Sequence, residues 1–394
     1  MEATFVILFA IASLVAIMAR RAQVPYTVAL VVVGLLVGAL HIVEAPRLTR
    51  ELLFAVFLPG LVFEAAYNIH ASELRATWRT IATLAIPGVV IAIALTCAIA
   101  TAAFALVSPA LAFTWRDALV FAALVAATDP IAVVSLFREM GVPPRLTTMI
   151  EAESLFNDGT SIVVLSLVLA YVTGTTASIA GLTAQFLLVI GGGAVVGLVI
   201  GAGLARLTKE LNEPMVEITL TTIGAYGSFV AAERLHLSGV IATVSAGLVL
   251  GTYGREFAMS VATRVSVDSF WEYVAFALNS VVFLLIGFEV QPSSLLVVAL
   301  PIMVAFLALM LSRLAVVFAT TGIMRGTSER VSVAWSLIMT WGGLRGALSM
   351  VLALALPDEF PRRTLLIDLT VGVVLVSLLL QGLTMKSFVR RVAR

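Results

Sequence analysis

Residues 117–137 read DALVFAALVAATDPIAVVSLF. From Ala118 to Ala127 every side chain is apolar, and the apolar run resumes at Ile131. Spanning the hydrocarbon core of a bilayer takes ~20 predominantly apolar residues in a helix. This stretch reaches that length only by running through Thr128-Asp129-Pro130. Proline has no N–H and clashes with the preceding turn, so the helix is predicted to break or unwind there. Asp129 lies about 18 Å into the span at 1.5 Å per residue, near the midplane. Unwinding frees backbone carbonyls, that of Thr128 included. At membrane depth, free carbonyls are tolerated where they line a cavity or are otherwise satisfied.

The rest of the chain supports a lipid environment. Of 394 residues, 61% are hydrophobic and 12% charged, against roughly 25% charged in soluble proteins. So few charges cannot cover so much apolar surface in water. The balance of 24 basic and 23 acidic residues leaves a net charge of +1 and no basic stripe for nucleic acid. Cys97 is the only cysteine, which excludes an internal disulfide and a thiolate metal cluster. No positive region of a signal peptide precedes the first apolar run, so a retained first helix is expected.

Apolar runs between charges and Gly/Pro clusters fall at 3–19, 26–43, 51–69, 78–107, 117–137, 145–172, 183–205, 214–234, 238–253, 268–290, 294–323, 331–356 and 365–386. The expectation is an all-α polytopic membrane protein of about thirteen spans. The long runs 78–107 and 294–323 are expected to tilt or kink, at Pro87 and Pro301. Alternating the connections from an outside N-terminus tests this count. The inner set runs from Arg20 and Arg21 through Arg138 and Arg145 to Lys386, Arg390, Arg391 and Arg394, and holds sixteen of the 24 basic residues. The outer set holds six: Arg47, Arg50, Arg116, Arg234, Arg362 and Arg363. Arg313 and Arg345 remain inside spans. The bias predicts N-out, C-in.

Ionisable groups at bilayer depth cost at least ~2.5–3.5 kcal/mol each and mark function by default. The map leaves Glu64, Asp129, Glu151, Glu153, Asp158, Glu289, Arg313 and Arg345 there. At ~100° per residue, Glu151, Glu153, Ser154, Asn157 and Asp158 of the sixth span share an arc of about 160°. Three carboxylates on one face need a cation, because like charges at close range raise one another's pKa. A proton, a metal cation or an arginine would serve. The twelfth span carries Trp341-Gly342-Gly343-Leu344-Arg345-Gly346. Its glycines weaken the helix, and Arg345 is expected to pair with Glu151 or Glu153. Broken fifth and twelfth spans, seven apart, run in opposite directions. That is the arrangement of two inverted six-helix repeats with a binding site at their broken helices.

Thr128-Asp129-Pro130, Glu153-Ser154-Leu155-Phe156-Asn157-Asp158-Gly159 and Gly342-Gly343-Leu344-Arg345-Gly346 resemble the signatures of the monovalent cation:proton antiporters. The sodium/proton exchanger branch, with its prokaryotic NhaP-type members, is the nearer likeness. Leu58-Pro59-Gly60-Leu61-Val62-Phe63-Glu64-Ala65 and Phe270-Trp271-Glu272, with Asn279 and Leu285-Ile286-Gly287, are also similar to that family. The resemblance implies a homodimer whose protomer is one transporter unit over 1–394. It implies a core ion-transport domain near 78–172 and 294–390, and a dimerisation scaffold near 1–69 and 183–290. It makes Asp158 the carboxylate that takes either proton or cation. Sodium would be held by Asp158, Ser154, Glu153 and the Thr128 carbonyl, with Asp129 in the proton and ion site. Asn157 would brace the unwound helix, with Glu151 and Arg345 in support. An Asn-Asp pair resembles the electroneutral members. Glu64 departs from the more usual neutral residue, and the long regulatory tail of animal members is not expected after Lys386.

The expected activity is exchange of Na+, or of Li+ or K+, for protons by alternating access in the cell membrane, inner or plasma, without a cofactor. A sodium-coupled organic solute carrier would need solute-binding groups, but the intramembrane polar residues are almost all acidic. A channel would need a repeated filter sequence. A hydrolase would need a His-Glu-x-x-His or Gly-x-Ser-x-Gly pattern, and neither occurs. His41, His70 and His236 map to span ends, where solvated roles are expected.

Overall fold

The computed structural model describes residues 2–22, 24–40, 49–174, 178–209, 213–290 and 292–392. His41, Arg47 and Arg394, with the side chains of Arg50 and Glu289, lie outside the described set. Among the described residues, regular structure is entirely helical. The principal helices are α1 (Glu2–Ala22), α2 (Tyr26–Ala39), α3 (Leu53–Asn68), α4 (Ala71–Val107), α5 (Trp115–Leu124), α6 (Ile131–Met140), α7 (Pro144–Val172) and α8 (Ile179–Thr208). They continue as α9 (Pro214–Arg234), α10 (Gly239–Val249), α11 (Val261–Glu289), α12 (Ala299–Ile323), α13 (Val333–Trp341), α14 (Ala347–Leu354) and α15 (Arg363–Val392). Seven of the described helices are long and apolar enough to cross a membrane. Mid-helix residues such as Leu187, Leu188, Val195 and Val199 on α8 are each more than half exposed. A helix that leaves such side chains outside is built to face lipid.

The chain forms two compact units, residues 1–50, 77–157 and 280–394 in one and 51–76 and 158–279 in the other. In the first, α12 packs against α4, α13 and α15, α5 against α4, and α14 against α15. Helix α2 lies against α6. In the second, α8 packs along α10, and α10 against α3. The backbones of α8 and α10 approach so closely that a Cβ at Gly197 would sit 2.0 Å from the carbonyl oxygen of Ala242. Where hydrocarbon surrounds the helices, small residues permit the van der Waals packing that holds them together. Phe63, Tyr67 and Trp271 centre that unit's core, with the Phe63 and Trp271 rings 4.6 Å apart.

Two local expectations resolve differently. Pro87 falls within a π-helical turn, Leu84–Gly88, where the helix absorbs the missing N–H without ending. Pro301 makes no kink. The run 294–323 divides at Val298, between Pro292–Val297 and α12, so Pro301 occupies the first turn of a new helix. N–H groups there have no intrahelical partner, so a proline costs nothing.

Candidate functional site

Two helical interruptions build the site. Helix α5 ends at Leu124 and α6 starts at Ile131. Helix α13 ends at Trp341 and α14 starts at Ala347. The first gap ends on Pro130 and the second holds three glycines. The two extended segments meet: the N–H of Asp129 donates to the carbonyl of Leu344 at 2.8 Å. The meeting requires glycine at 346, since a Cβ there would lie 2.1 Å from Oδ2 of Asp129.

Helix α7 supplies the side chains that hold the first segment. Ser154 Oγ donates a hydrogen bond to the carbonyl of Thr128. Asn157 Nδ2 donates to the carbonyl of Ala126 and to Oγ1 of Thr128, both at 3.2 Å. Ser154, Asn157 and Thr128 are all buried. The unwound backbone is thus satisfied by protein where no water would reach it, as burial in a membrane protein demands. Asp158 follows Asn157 on α7, one helical turn beyond Ser154, so these two side chains share a face.

Opposite charges sit at the helix ends that the interruptions expose. Asp129 Oδ1 accepts from the N–H of Ile131 at 3.1 Å, the first residue of α6. Its carboxylate also lies against Gly346, which caps α14. The Asp129 carboxyl group thus accepts at the start of α6 and lies beside the start of α14, at helix ends where the macrodipole is positive. Arg345 donates from Nη1 to the carbonyls of Ala126 at 2.5 Å and Ala127 at 3.0 Å, just past the C-terminus of α5. There a cation meets the negative end.

The carboxylate pairings differ from the sequence expectation for Arg345. Glu153 is held by Arg313 of α12, with Nη1 at 2.6 Å from Oε1 and Nη2 at 2.8 Å from Oε2. Glu151 pairs with Arg138 of α6 at 3.4 Å. Planar guanidinium and carboxylate match in two parallel hydrogen bonds, which explains why Glu153 takes the arginine that can reach it side-on. Arg313 also donates to the carbonyl of Met339 near the end of α13. Glu64 lies in the other unit, on α3, and accepts from Asn68 Nδ2 at 2.7 Å. The structure therefore gathers Thr128, Asp129, Ser154, Asn157 and Arg345. It attaches Glu153 through Arg313 and sets Glu151 in a pair with an exposed arginine.

Two contributors were invisible in the sequence. Ser377 and Gln381 of α15 are fully buried and bond the second segment. They are uncharged residues in an apolar run, with no motif to mark them. Arg313 was legible as a charge at bilayer depth, but its partner was not. Chemically, the cluster offers hydroxyl, carbonyl and carboxylate oxygens, the ligands hard cations take. Among the described residues no group of three or more His, Cys, Asp or Glu could hold a metal ion.

Comparison with known proteins extends these observations. A family described as sodium/hydrogen exchanger, transmembrane, matches residues 7–391. The low-affinity Na(+)/H(+) antiporter NhaS1 of Synechocystis sp. is 40% identical over 368 residues, covering 92% of this chain and 68% of its own. The Na(+)/H(+) antiporter ApNhaP of Aphanothece halophytica is 39% identical over 372 residues, covering 94% and 70%. The solved structure of the sodium proton antiporter MjNhaP1 from Methanocaldococcus jannaschii superposes with a TM-score of 0.78 over 100% of this chain and 98% of its own. At 20% sequence identity, that likeness bears on the fold.

Proposed function

This chain belongs to the sodium/hydrogen exchanger family, and from that membership we propose that it exchanges sodium ions for protons across the cell membrane. It is a secondary transporter and not an enzyme. The observation that supports the ion-binding reading is the hydrogen bond between the two unwound segments, from Asp129 to Leu344, with Ser154 bonded to Thr128.

Asp158 takes either a proton or a cation, and the two exclude one another there. A carboxylate in a poorly solvated site favours its protonated form, and an arriving cation favours the ionised form. The Thr128 carbonyl and Ser154 hydroxyl supply neutral oxygens, and Asp129 sets the local charge. Both oxygens of Glu153 are engaged by Arg313, which supports giving Glu153 a bracing role beside the cation. Coupling follows if the site reorients only when occupied, so that each sodium moved one way returns a proton the other way. The working unit is a homodimer of thirteen-span, N-out and C-in protomers with inverted repeats, in which the core moves against a fixed scaffold. Asn157 beside Asp158 is the pattern of electroneutral exchange.

Purified protein in proteoliposomes, driven by each alkali cation in turn, tests this. Sodium should move protons at a rate unchanged by an imposed membrane potential. Asp158→Asn should abolish that flux while the purified protein keeps its size and melting temperature. Normal exchange by Asp158→Asn would overturn the assignment of the site, and no sodium-driven flux in the native protein would overturn the function.

A further inference from the structure

Helix α15 is not regular throughout. Residues Ser377–Gly382 form a π-helical turn, whose bonds run from i to i+5. Among the described residues it is one of five such segments, and what sets it apart is the polar chemistry that it buries. Two of its side chains, Ser377 and Gln381, are fully buried and point at the second unwound segment.

Their hydrogen bonds form one directed chain. The N–H of Arg345 donates to Ser377 Oγ at 3.0 Å. Ser377 Oγ donates to Gln381 Oε1 at 2.5 Å. Gln381 Nε2 donates to the carbonyl of Trp341 at 2.9 Å. Each direction is forced. Arg345 N–H can only donate, so the Ser377 hydroxyl proton is free to go to Gln381. That fixes the amide with its oxygen toward Ser377 and its NH2 toward Trp341, whose carbonyl can only accept. The chain thus ties Trp341, where α13 ends, to Arg345, next to the start of α14.

We propose that Ser377 and Gln381 are positioning residues for cation exchange: together they set the length and angle of the second interruption, and so aim Arg345 and Leu344 at the first. This deepens the exchange reading and rests on it. The physical link is short. Arg345 is the residue whose N–H the chain holds, and its side chain meets the Ala126 and Ala127 carbonyls. Leu344, one residue earlier, accepts from Asp129. A second segment freed to drift would move a positive charge and a hydrogen-bond acceptor away from the cation site. A side chain that merely filled space would not.

Gln381→Met keeps the volume and removes the hydrogen bonds to Ser377 and Trp341, along with the weaker one to Met310 Sδ. Ser377→Ala removes the middle of the chain. In proteoliposomes, either should raise the sodium KM by about fivefold or more, the scale of losing one well-placed hydrogen bond, and should displace the pH profile. The amount of folded protein and the maximal rate should change less than KM. Gln381→Glu gives a second readout that survives poor folding of the others. As a neutral acid it can still accept from Ser377 and donate to Trp341. Ionised, it has no proton for Trp341. Its exchange relative to the native protein should therefore approach unity at low pH, fall as pH rises, and recover on return. A native-like KM in Gln381→Met and Ser377→Ala, or a Gln381→Glu rate that parallels the native protein at every pH, would overturn the proposal. Absence of sodium-driven exchange in the native protein would instead overturn the reading beneath it.

Discussion

The N–H of Asp129 donates to the carbonyl oxygen of Leu344 at 2.8 Å, so a single peptide hydrogen bond joins two helices that have each come apart. Neither group could make its helical bond, because each lies in a stretch without helical geometry. In hydrocarbon, each would cost several kcal/mol if unpaired. Each interruption is therefore the other's remedy, and the two must be kept in register.

Gly346→Ala tests that register most directly. The added Cβ would meet the Asp129 carboxylate from 2.1 Å and its Cβ from 2.4 Å. Overpacking of this kind costs about 1–3 kcal/mol. The melting temperature in detergent should fall, and sodium-driven exchange per folded protein should drop with it. An alanine variant with native melting and native exchange would show that the segments part readily.

The Arg313–Glu153 pair is almost fully buried, at 7% and 1% side-chain exposure. Glu153→Ala leaves a charged guanidinium without its carboxylate and should destabilise by about 3–5 kcal/mol. Replacing both, as Glu153→Leu with Arg313→Met, should recover much of that loss, since a well-packed apolar pair often matches a buried ion pair. Thermal unfolding of the two single variants and the double variant checks this. Exchange by the double variant then reports whether Glu153 braces the site or binds within it.

Asn157→Ala removes two hydrogen bonds to the first unwound segment. Ala126 keeps its bond from Arg345, so the segment is loosened at Thr128 more than at Ala126. At 0.5–1.5 kcal/mol per bond, the cost is about 1–3 kcal/mol. Sodium KM should rise while assembly is retained. An unchanged KM would place Asn157 outside the ion site.

Glu329 fastens the chain ahead of α13 to α4. Its carboxylate accepts from the N–H of Arg79 at 3.2 Å, and from the N–H and hydroxyl of Thr80 at 2.8 and 2.9 Å. Hydrogen bonds to a charged group contribute about 1.5–3 kcal/mol each at most, less where they share an acceptor. Glu329→Ala should lower the melting temperature, Glu329→Gln should lower it less, and exchange per folded protein should stay native in both. A loss of exchange without loss of stability would give this carboxylate a transport role.

Local chemistry was legible in the sequence, and distant partnership was not. Pro130 and the glycines at 342, 343 and 346 announce where helices fail, because each acts on its own backbone. Ser154 and Asn157 stand out because polar groups on an apolar helix need a reason. The match of Glu153 to Arg313 spans 160 positions, with two intramembrane arginines and several carboxylates to choose among. Side-chain reach decided it, and reach depends on packing. Pro301 misled for a simpler reason: its effect depends on whether a helix begins just before it, and a break at Val298 has no strong breaker to mark it.

The π-helical turn at Ser377–Gly382 also fixes what lies after it. An i to i+5 turn holds one residue more than an α-turn, so all of α15 beyond Gly382 is rotated by about 100° relative to an unbroken α-helix. That rotated tail places Thr384 Oγ1 3.0 Å from the indole Nε1 of Trp341, and Phe388 in a stack with the same ring. Deleting one codon among residues 378–380 would restore an ordinary helix and shorten the Ser377-to-Gln381 spacing by a residue. Thr384 and Phe388 would swing off Trp341 at the same time. One residue more than a regular helix needs thus sets both the Ser377–Gln381 spacing and the placement of the tail on Trp341.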